Sequence, residues 1–593
     1  MSASPSRLVA LALLLSCSCA GDDAQELGAG DELGSSEADT GSDAEDESSS
    51  GPDLPGSDGD VDMGSPCPPQ PREACVCIEG SLWCDCAGLG PEAGFVTHEH
   101  VDYELGLGEQ ATAMTSARAR MFWAFAPADL GSDDRPLFVF FNGGPGVSSG
   151  LLLGLDTGLY TFNPAQTGPD ATVVANPASW TALGNLLWID ARQTGFSQGL
   201  LDDPSDPAAR GAAMNVASFN AYADAADFVR TLLRFLAAHP SLQDNPVVLV
   251  AESYGGTRAK IVLDMLLSPA AYGDGSRHLR DATLVAEIQE HHQLVHGAGE
   301  VGPATIADQF GAQVLIQPAL TGFGQKLAAG QRFEAPDSPL HALAAEWGTS
   351  YQTCAELMTP CSPYDHALDF VSGHGFSPYD TQAPTSWLND LFALVNARLN
   401  DAADVEALLS VDAADIPGLA AVDRGQSWRA VSTGAFPADA AIGDWPEQLG
   451  ALQDWDRYFV PFHHEVLSRF TGTTATMLGV DPNNGHFGEL FLRNLIWVDT
   501  LITVAERDLV VYTPALPPAL EGYGQWVLAV DEDEGAQTWE VHYQAGAYQA
   551  LGGRGEALRT IAAPRYDASH AVSLDAGAKL RDDVGLWLEA LAE

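Results

Sequence analysis

The chain has 593 residues, and its 27 Lys and Arg against 81 Asp and Glu give a formal net charge of −54 at pH 7. So acidic a protein repels phosphate backbones, which excludes nucleic-acid binding. Hydrophobic residues make up 46% of the chain, too many for disorder throughout and enough, at this length, for a large core.

Arg7 precedes the apolar run Leu8 to Leu15 and then Ser16, Cys17, Ser18 and Cys19. Residues 1–20 therefore read as a signal peptide whose apolar run is too short to span a bilayer, so the protein is expected to be exported. Leu14, Leu15, Ser16 and Cys17 also resemble a bacterial lipobox, which makes Cys17 a lipidation candidate. The expected location is the outer membrane or cell surface through that lipid alone, or, without it, the periplasm or medium. No other stretch approaches the roughly 18 uninterrupted apolar residues of a membrane-spanning helix.

Residues 21–66 hold fifteen Asp or Glu and no Lys or Arg among Gly, Ser and Ala. Like-charge repulsion and low hydrophobicity make this a disordered acidic linker. Cys67, Cys75, Cys77, Cys84 and Cys86 follow. In an exported chain they read as a small disulfide-stapled module over residues 67–90, with one thiol left over because five is odd; zinc ligation is the competing reading. Cys354 and Cys361 are expected to close a short loop further on.

The chemistry starts beyond Asp102. Ala119 to Ala126 and Leu137 to Phe141 read as strands separated by turn residues Gly131 to Arg135. The second runs into Asn142, Gly143, Gly144, Pro145, Gly146, Val147, Ser148 and Ser149, a turn able to approach a ligand closely and aim N–H groups at it, as one arm of an oxyanion hole does. Asn185 to Asp190 is another buried strand, and Val216 to Ala238 an amphipathic helix. Pro246 to Ala251 has the Val and Leu of a central parallel strand. It ends in Glu252, Ser253, Tyr254, Gly255 and Gly256, which read as a nucleophile elbow: a sharp strand-to-helix turn that raises the Ser hydroxyl above the sheet and places the next N–H in the oxyanion hole. Ala251 stands where Gly is usual, and only a small side chain is needed there.

A serine hydroxyl needs a His to take its proton and an acid to orient that His, so an Asp and then a His are expected downstream. A strand at Leu501 to Ala505 leads to Glu506, Arg507 and Asp508. A last strand at Leu558 to Ala563 leads to Asp567, Ala568, Ser569 and His570, before a closing helix from Gly577 to Leu591. Both candidates follow the C-terminal end of a strand, where open α/β sheets place their sites.

Asn142 to Ser149, Asn176 with Trp180, Thr194 to Ser197, Glu252 to Gly256, Glu506 to Asp508 and Ser569 with His570 resemble the ordered motifs of the serine carboxypeptidases, an acid-active family of α/β hydrolases. The resemblance covers about residues 99–320 and 492–593. It implies a triad of Ser253, Asp508 and His570, an oxyanion hole from the N–H groups of Gly144 and Tyr254, and a substrate-carboxylate site at Asn142, Glu252 and Asp156. At least one of those acids must then be protonated, because a carboxylate cannot sit beside two ionised ones; activity is expected to favour acidic pH. The chain departs from the family at several positions: Asp156 replaces Glu, Val147 a Cys, Ser569 a Gly, and Ala571 and Ser573 a Met and a Pro. Asp190 to Ser197 is also one residue shorter and resembles the proline-iminopeptidase branch.

The expected fold is an α/β hydrolase with a mainly parallel central sheet, its core at residues 91–321 and 492–593 and a large, mostly helical cap at 322–491. A smaller insertion, Ser268 to Ala307, carries His291, His292 and His296; a polar helix face accounts for them more simply than a metal site. The expected function is an exported serine carboxypeptidase acting on peptides without metal or organic cofactor. The alternatives are an aminopeptidase or esterase on the same triad, and a binding protein with a degenerate pocket. The oligomeric state has no sequence signature.

Overall fold

A computed structural model describes residues 76–77, 84–85, 89–143, 149, 152, 157–162, 173–192, 194, 197–200, 217–299, 301–321, 486–506, 508, 511–568 and 572–592. The expectations for the signal segment with Cys17, the acidic linker, Cys67, Cys75, Cys86, Cys354 and Cys361, and the cap up to residue 485 lie outside these residues. Val76–Cys77 and Cys84–Asp85 form an antiparallel pair with Cys77 opposite Cys84.

The main sheet has eleven strands. In chain order they are β1 (Glu92–His98), β2 (Arg118–Ala126), β3 (Leu137–Phe141), β4 (Asn185–Ile189), β5 (Gln198–Leu200), β6 (Val247–Glu252), β7 (Ala312–Ile316), β8 (Asp499–Ile502), β9 (Val527–Asp533), β10 (Thr538–Tyr543) and β11 (Leu558–Ala562). Their order across the sheet is β5-β2-β4-β3-β6-β7-β8-β11-β10-β9, with β1 also paired to β2. The centre, from β4 through β3, β6, β7 and β8 to β11, is parallel throughout. Both margins are antiparallel. This is the mainly parallel sheet of an α/β hydrolase.

Alternation along the central strands divides the core into two layers. Leu137, Val139 and Phe141 of β3, with Val247, Leu249 and Ala251 of β6, face helices α1 (Ala221–Ala238) and α2 (Gly255–Leu267). Phe138, Phe140, Val248 and Val250 face the other way, onto Trp180 and the closing helix α6 (Val572–Ala592). Helices α3 (Ala282–His296), α4 (Pro303–Phe310) and α5 (His486–Asn494) complete the first layer. A parallel strand buried on both faces must be apolar at every position, which is why these strands could be read as unbroken runs. Among the described residues no helix is long and apolar enough to cross a membrane.

Four expectations are adjusted. Helix α1 starts at Ala221 rather than Val216, because the Oδ1 of Asn220 accepts from the N–H groups of Tyr222 (3.1 Å) and Ala223 (3.0 Å) as its N-cap. The strand expected at Leu501 to Ala505 divides at Thr503: β8 stays in the main sheet, while Val504–Ala505 pairs with Arg565–Tyr566. The closing helix starts at Val572, and its first turns are broken by non-helical Ala576. His291 and His292 are buried, not on an exposed polar face. The Nε2 of His291 lies 2.9 Å from Gln309 Oε1, and that of His292 lies 3.0 Å from the Leu266 carbonyl, so α3 uses them to bind α4 and α2.

Candidate active site

Ser253 follows β6 and has φ = +56°, the left-handed region that costs a non-glycine residue about 1–2 kcal/mol. Backbone hydrogen bonds hold it there. Its N–H donates to the Ile316 carbonyl (2.9 Å), and its carbonyl accepts from Ala319 and Gly256 (both 2.9 Å). Strand β7 and the residues after it thus clamp the turn from one side, and the first turn of α2 clamps it from the other.

Such a turn requires small neighbours. A Cβ on Gly143 would lie 2.5 Å from the Ser253 Cβ and 2.8 Å from the Tyr254 nitrogen, and one on Gly256 would lie 2.5 Å from the Pro318 Cβ. A Cβ on Gly255 would meet the Phe141 carbonyl at 2.9 Å. Phe141 and Ala251 are register partners in β3 and β6. Asn142 and Gly143 therefore leave the sheet alongside Glu252 and Ser253. Asn142 is buried, Ser253 is 8% exposed, and Glu252 is half-buried.

A buried ion pair supports this corner. Arg258 of α2 donates through Nε and Nη2 to Asp224 of α1 (2.8 and 3.2 Å) and through Nη1 to the Asn142 carbonyl (2.7 Å), with its guanidinium over the Phe228 ring. Burial raises the Asp224 pKa, and the facing Arg258 opposes that shift. On the other flank Asp190, buried at the end of β4, accepts from both the N–H (2.9 Å) and the hydroxyl (2.6 Å) of Ser149, fixing the far end of the glycine-rich turn. Asn176 and Trp180, which belong to the family resemblance, are scaffold: the Nδ2 of Asn176 donates to the Gly158 carbonyl (2.9 Å), and Trp180 packs on Phe138 and Phe140.

Asp508 is fully buried, and its Oδ1 accepts from the Val511 N–H at 3.0 Å. The chain around it is fixed by Gln317, which directly follows β7. The Nε2 of Gln317 donates to Thr503 Oγ1 and to its carbonyl (both 2.9 Å), and its Oε1 accepts from Thr513 Oγ1 (2.6 Å). Sequence reasoning gave Gln317 and Thr513 no role, since nothing local links them. The short parallel pairing of Val504–Ala505 with Arg565–Tyr566 sends the chains leading to Asp508 and to Ala568 out side by side.

Ser573 was visible in the sequence only as a replacement for Pro. It is buried near the start of α6, and its hydroxyl donates to Glu252 Oε2 at 3.2 Å, across 321 residues. A position just past the closing strand thus touches the residue before Ser253. The structure brings together Asn142, Gly143, Glu252, Ser253, Tyr254 and Ser573. Gly144, Asp156 and His570 lie outside the described residues. Among the described residues no group of three metal-ligating side chains forms around Ser253.

Residues 104–267, which include the elbow, match the serine carboxypeptidase family. Carboxypeptidase sxa2 of Schizosaccharomyces pombe is 32% identical over 149 residues, covering 25% of this chain and 25% of that protein. Serine carboxypeptidase-like 16 of Arabidopsis thaliana is 29% identical over 206 residues, covering 32% of this chain and 42% of its own length. The chain thus spans less than half the length of these curated relatives. A prohormone-processing carboxypeptidase from Saccharomyces cerevisiae, KEX1(delta)p, superposes with a TM-score of 0.40 at 16% identity, over 84% of this chain and 91% of its own.

Proposed function

We propose that this chain, whose residues 104–267 match the serine carboxypeptidase family, releases C-terminal residues from peptides through a covalent acyl-enzyme. Ser253 Oγ attacks the scissile carbonyl. His570 takes the hydroxyl proton and returns it to the leaving amine, and Asp508 orients the imidazole and stabilises its charged form. The developing oxyanion is met by the N–H groups of Tyr254 and Gly144. Water then enters where the amine left, and the same His activates it to free the serine.

The observation that carries this reading is the left-handed Ser253 at the strand-to-helix turn, held by three backbone hydrogen bonds. Strain of this kind persists where the surrounding structure enforces it, and it serves to present a side chain. The hydrogen bond from Ser573 to Glu252 adds support, because it draws the chain just beyond His570 to the elbow. Asn142, Glu252 and Asp156 are the proposed receptors of the substrate's terminal carboxylate, with one acid protonated, so turnover favours acidic pH. Export through the N-terminal signal, lipidation at Cys17 and disulfides among Cys67, Cys75, Cys77, Cys84 and Cys86 and between Cys354 and Cys361 belong to the same proposal.

Hydrolysis of blocked dipeptides with free and amidated C-termini tests it. The free acids should be cleaved faster, with the preference lost in Asn142→Ala; equal rates on both substrates would contradict the carboxypeptidase reading.

A further inference from the structure

At the opposite margin of the sheet, the hairpin of β9 and β10 carries a cluster unrelated to the elbow. Asp531 and Glu540 are register partners directly across the two strands, and His542 lies two residues beyond Glu540 on the same face. Like charges directly opposite one another destabilise a hairpin. Nearby cations are engaged elsewhere: Arg565 pairs with Glu506 (2.7 Å), Glu532 (3.2 Å) and Glu534 (3.6 Å). Among the described residues, no Lys or Arg ion pair reaches Asp531 or Glu540, and what faces both is the imidazole.

The spacing is informative. His542 Nε2 lies 3.1 Å from Asp531 Oδ2 and 3.6 Å from Glu540 Oε2, and one donor atom from each of the three residues falls within 4.8 Å of the others. Nε2 is shielded from solvent and makes no hydrogen bond, so neither contact has hydrogen-bond geometry. Bonds of about 2.0–2.2 Å in a tetrahedral zinc site hold neighbouring ligand atoms about 3.3–3.5 Å apart, between the two observed separations. One imidazole with two carboxylates is also a donor set suited to zinc-like divalent cations rather than to calcium, which takes oxygen ligands.

We propose that Asp531, Glu540 and His542 form a surface site for a zinc-like divalent cation, with water as the fourth ligand, that staples the edge hairpin of the main sheet. The cation offsets the repulsion between the two carboxylates and ties the edge strand β9 to β10.

The test is zinc titration of the chelator-treated full-length protein by calorimetry, beside His542→Ala and Glu540→Gln, with cobalt(II) absorption spectra. The wild type should bind one zinc that both variants bind at least tenfold more weakly, and zinc should raise the melting temperature of the wild type only. Cobalt at this site should give d–d bands without the thiolate charge-transfer band of a cysteine site. Equal stoichiometry and affinity in all three proteins would overturn the proposal. So would no zinc uptake by the wild type at about 100 μM, or calcium stabilising His542→Ala as much as the wild type, which would mark a purely acidic patch.

Discussion

The elbow and the β9–β10 hairpin are both turns attached to one sheet, yet they are built on opposite principles. Ser253 sits in the parallel centre with apolar layers on both faces, and its strained backbone is held by β7 and α2. The hairpin sits at the antiparallel margin, exposed along much of its length, with acids on both faces. Strain is affordable where neighbours on every side enforce it. Unbalanced charge is tolerated where water, a histidine or a cation can approach. A catalytic nucleophile needs the first environment and a metal staple needs the second.

Removing a charge should separate the two regions most clearly. Asp224→Ala leaves Arg258 buried and unpaired beside Asn142, and should lower unfolding free energy by about 3–5 kcal/mol. Glu534→Ala on the hairpin, whose 3.6 Å pair with Arg565 is exposed on the acid's side, should change it by less than about 1 kcal/mol. Urea denaturation measures both. A loss at Glu534 comparable to that at Asp224 would break the contrast.

Acid should act on the interior next. Burial lowers the pKa of His98, His278 and His291, and brings that of His292 down to about 4 from 6.5. These imidazoles stay neutral in the folded chain while the unfolded chain takes up protons below about pH 6.5. Their contribution is therefore complete above that pH and is lost as pH falls towards 4, by about 3 kcal/mol for His292 alone. Urea midpoints at pH 7, 5.5 and 4.5 should fall in that order, and the slope should flatten in His292→Asn. The enzyme proposed here would then gain turnover in the pH range where its fold weakens.

A smaller effect than that of acid, and one on binding rather than on stability, is expected at Ser573. Ser573→Ala removes the donor to Glu252, and on the proposed reading should raise KM for free-acid peptides about tenfold, the worth of one hydrogen bond to a charged group, with little change in kcat. Rescue by Ser573→Thr would separate positioning of the Glu252 carboxyl from a packing defect. An equal effect on amidated substrates would assign Ser573 to the scaffold alone.

What could be read from the sequence follows the same division. Leu137–Phe141 lies where its apolar run places it, and the elbow was legible because it joins a buried strand, a Ser and two Gly within a few residues. Contacts between distant segments had no local trace: Ser573 with Glu252, Gln317 with Thr503 and Thr513, Arg258 with Asp224. The division at Thr503 was hidden because a side chain 186 residues away decides it. His291 and His292 looked like surface residues because polar side chains at helical spacing suggest solvent, whereas the first reaches Gln309 and the second the Leu266 carbonyl.

The central claim, that Ser253 is the activated nucleophile, is tested most directly by a fluorophosphonate that phosphonylates an activated serine, followed by peptide mapping. The account predicts one adduct, on Ser253, absent from Ser253→Ala and formed far more slowly in His570→Ala. Ser253→Ala should also lower peptide hydrolysis by about 10⁵-fold or more while keeping the wild-type circular dichroism spectrum. An adduct on another residue, or hydrolysis undiminished in folded Ser253→Ala, would contradict it.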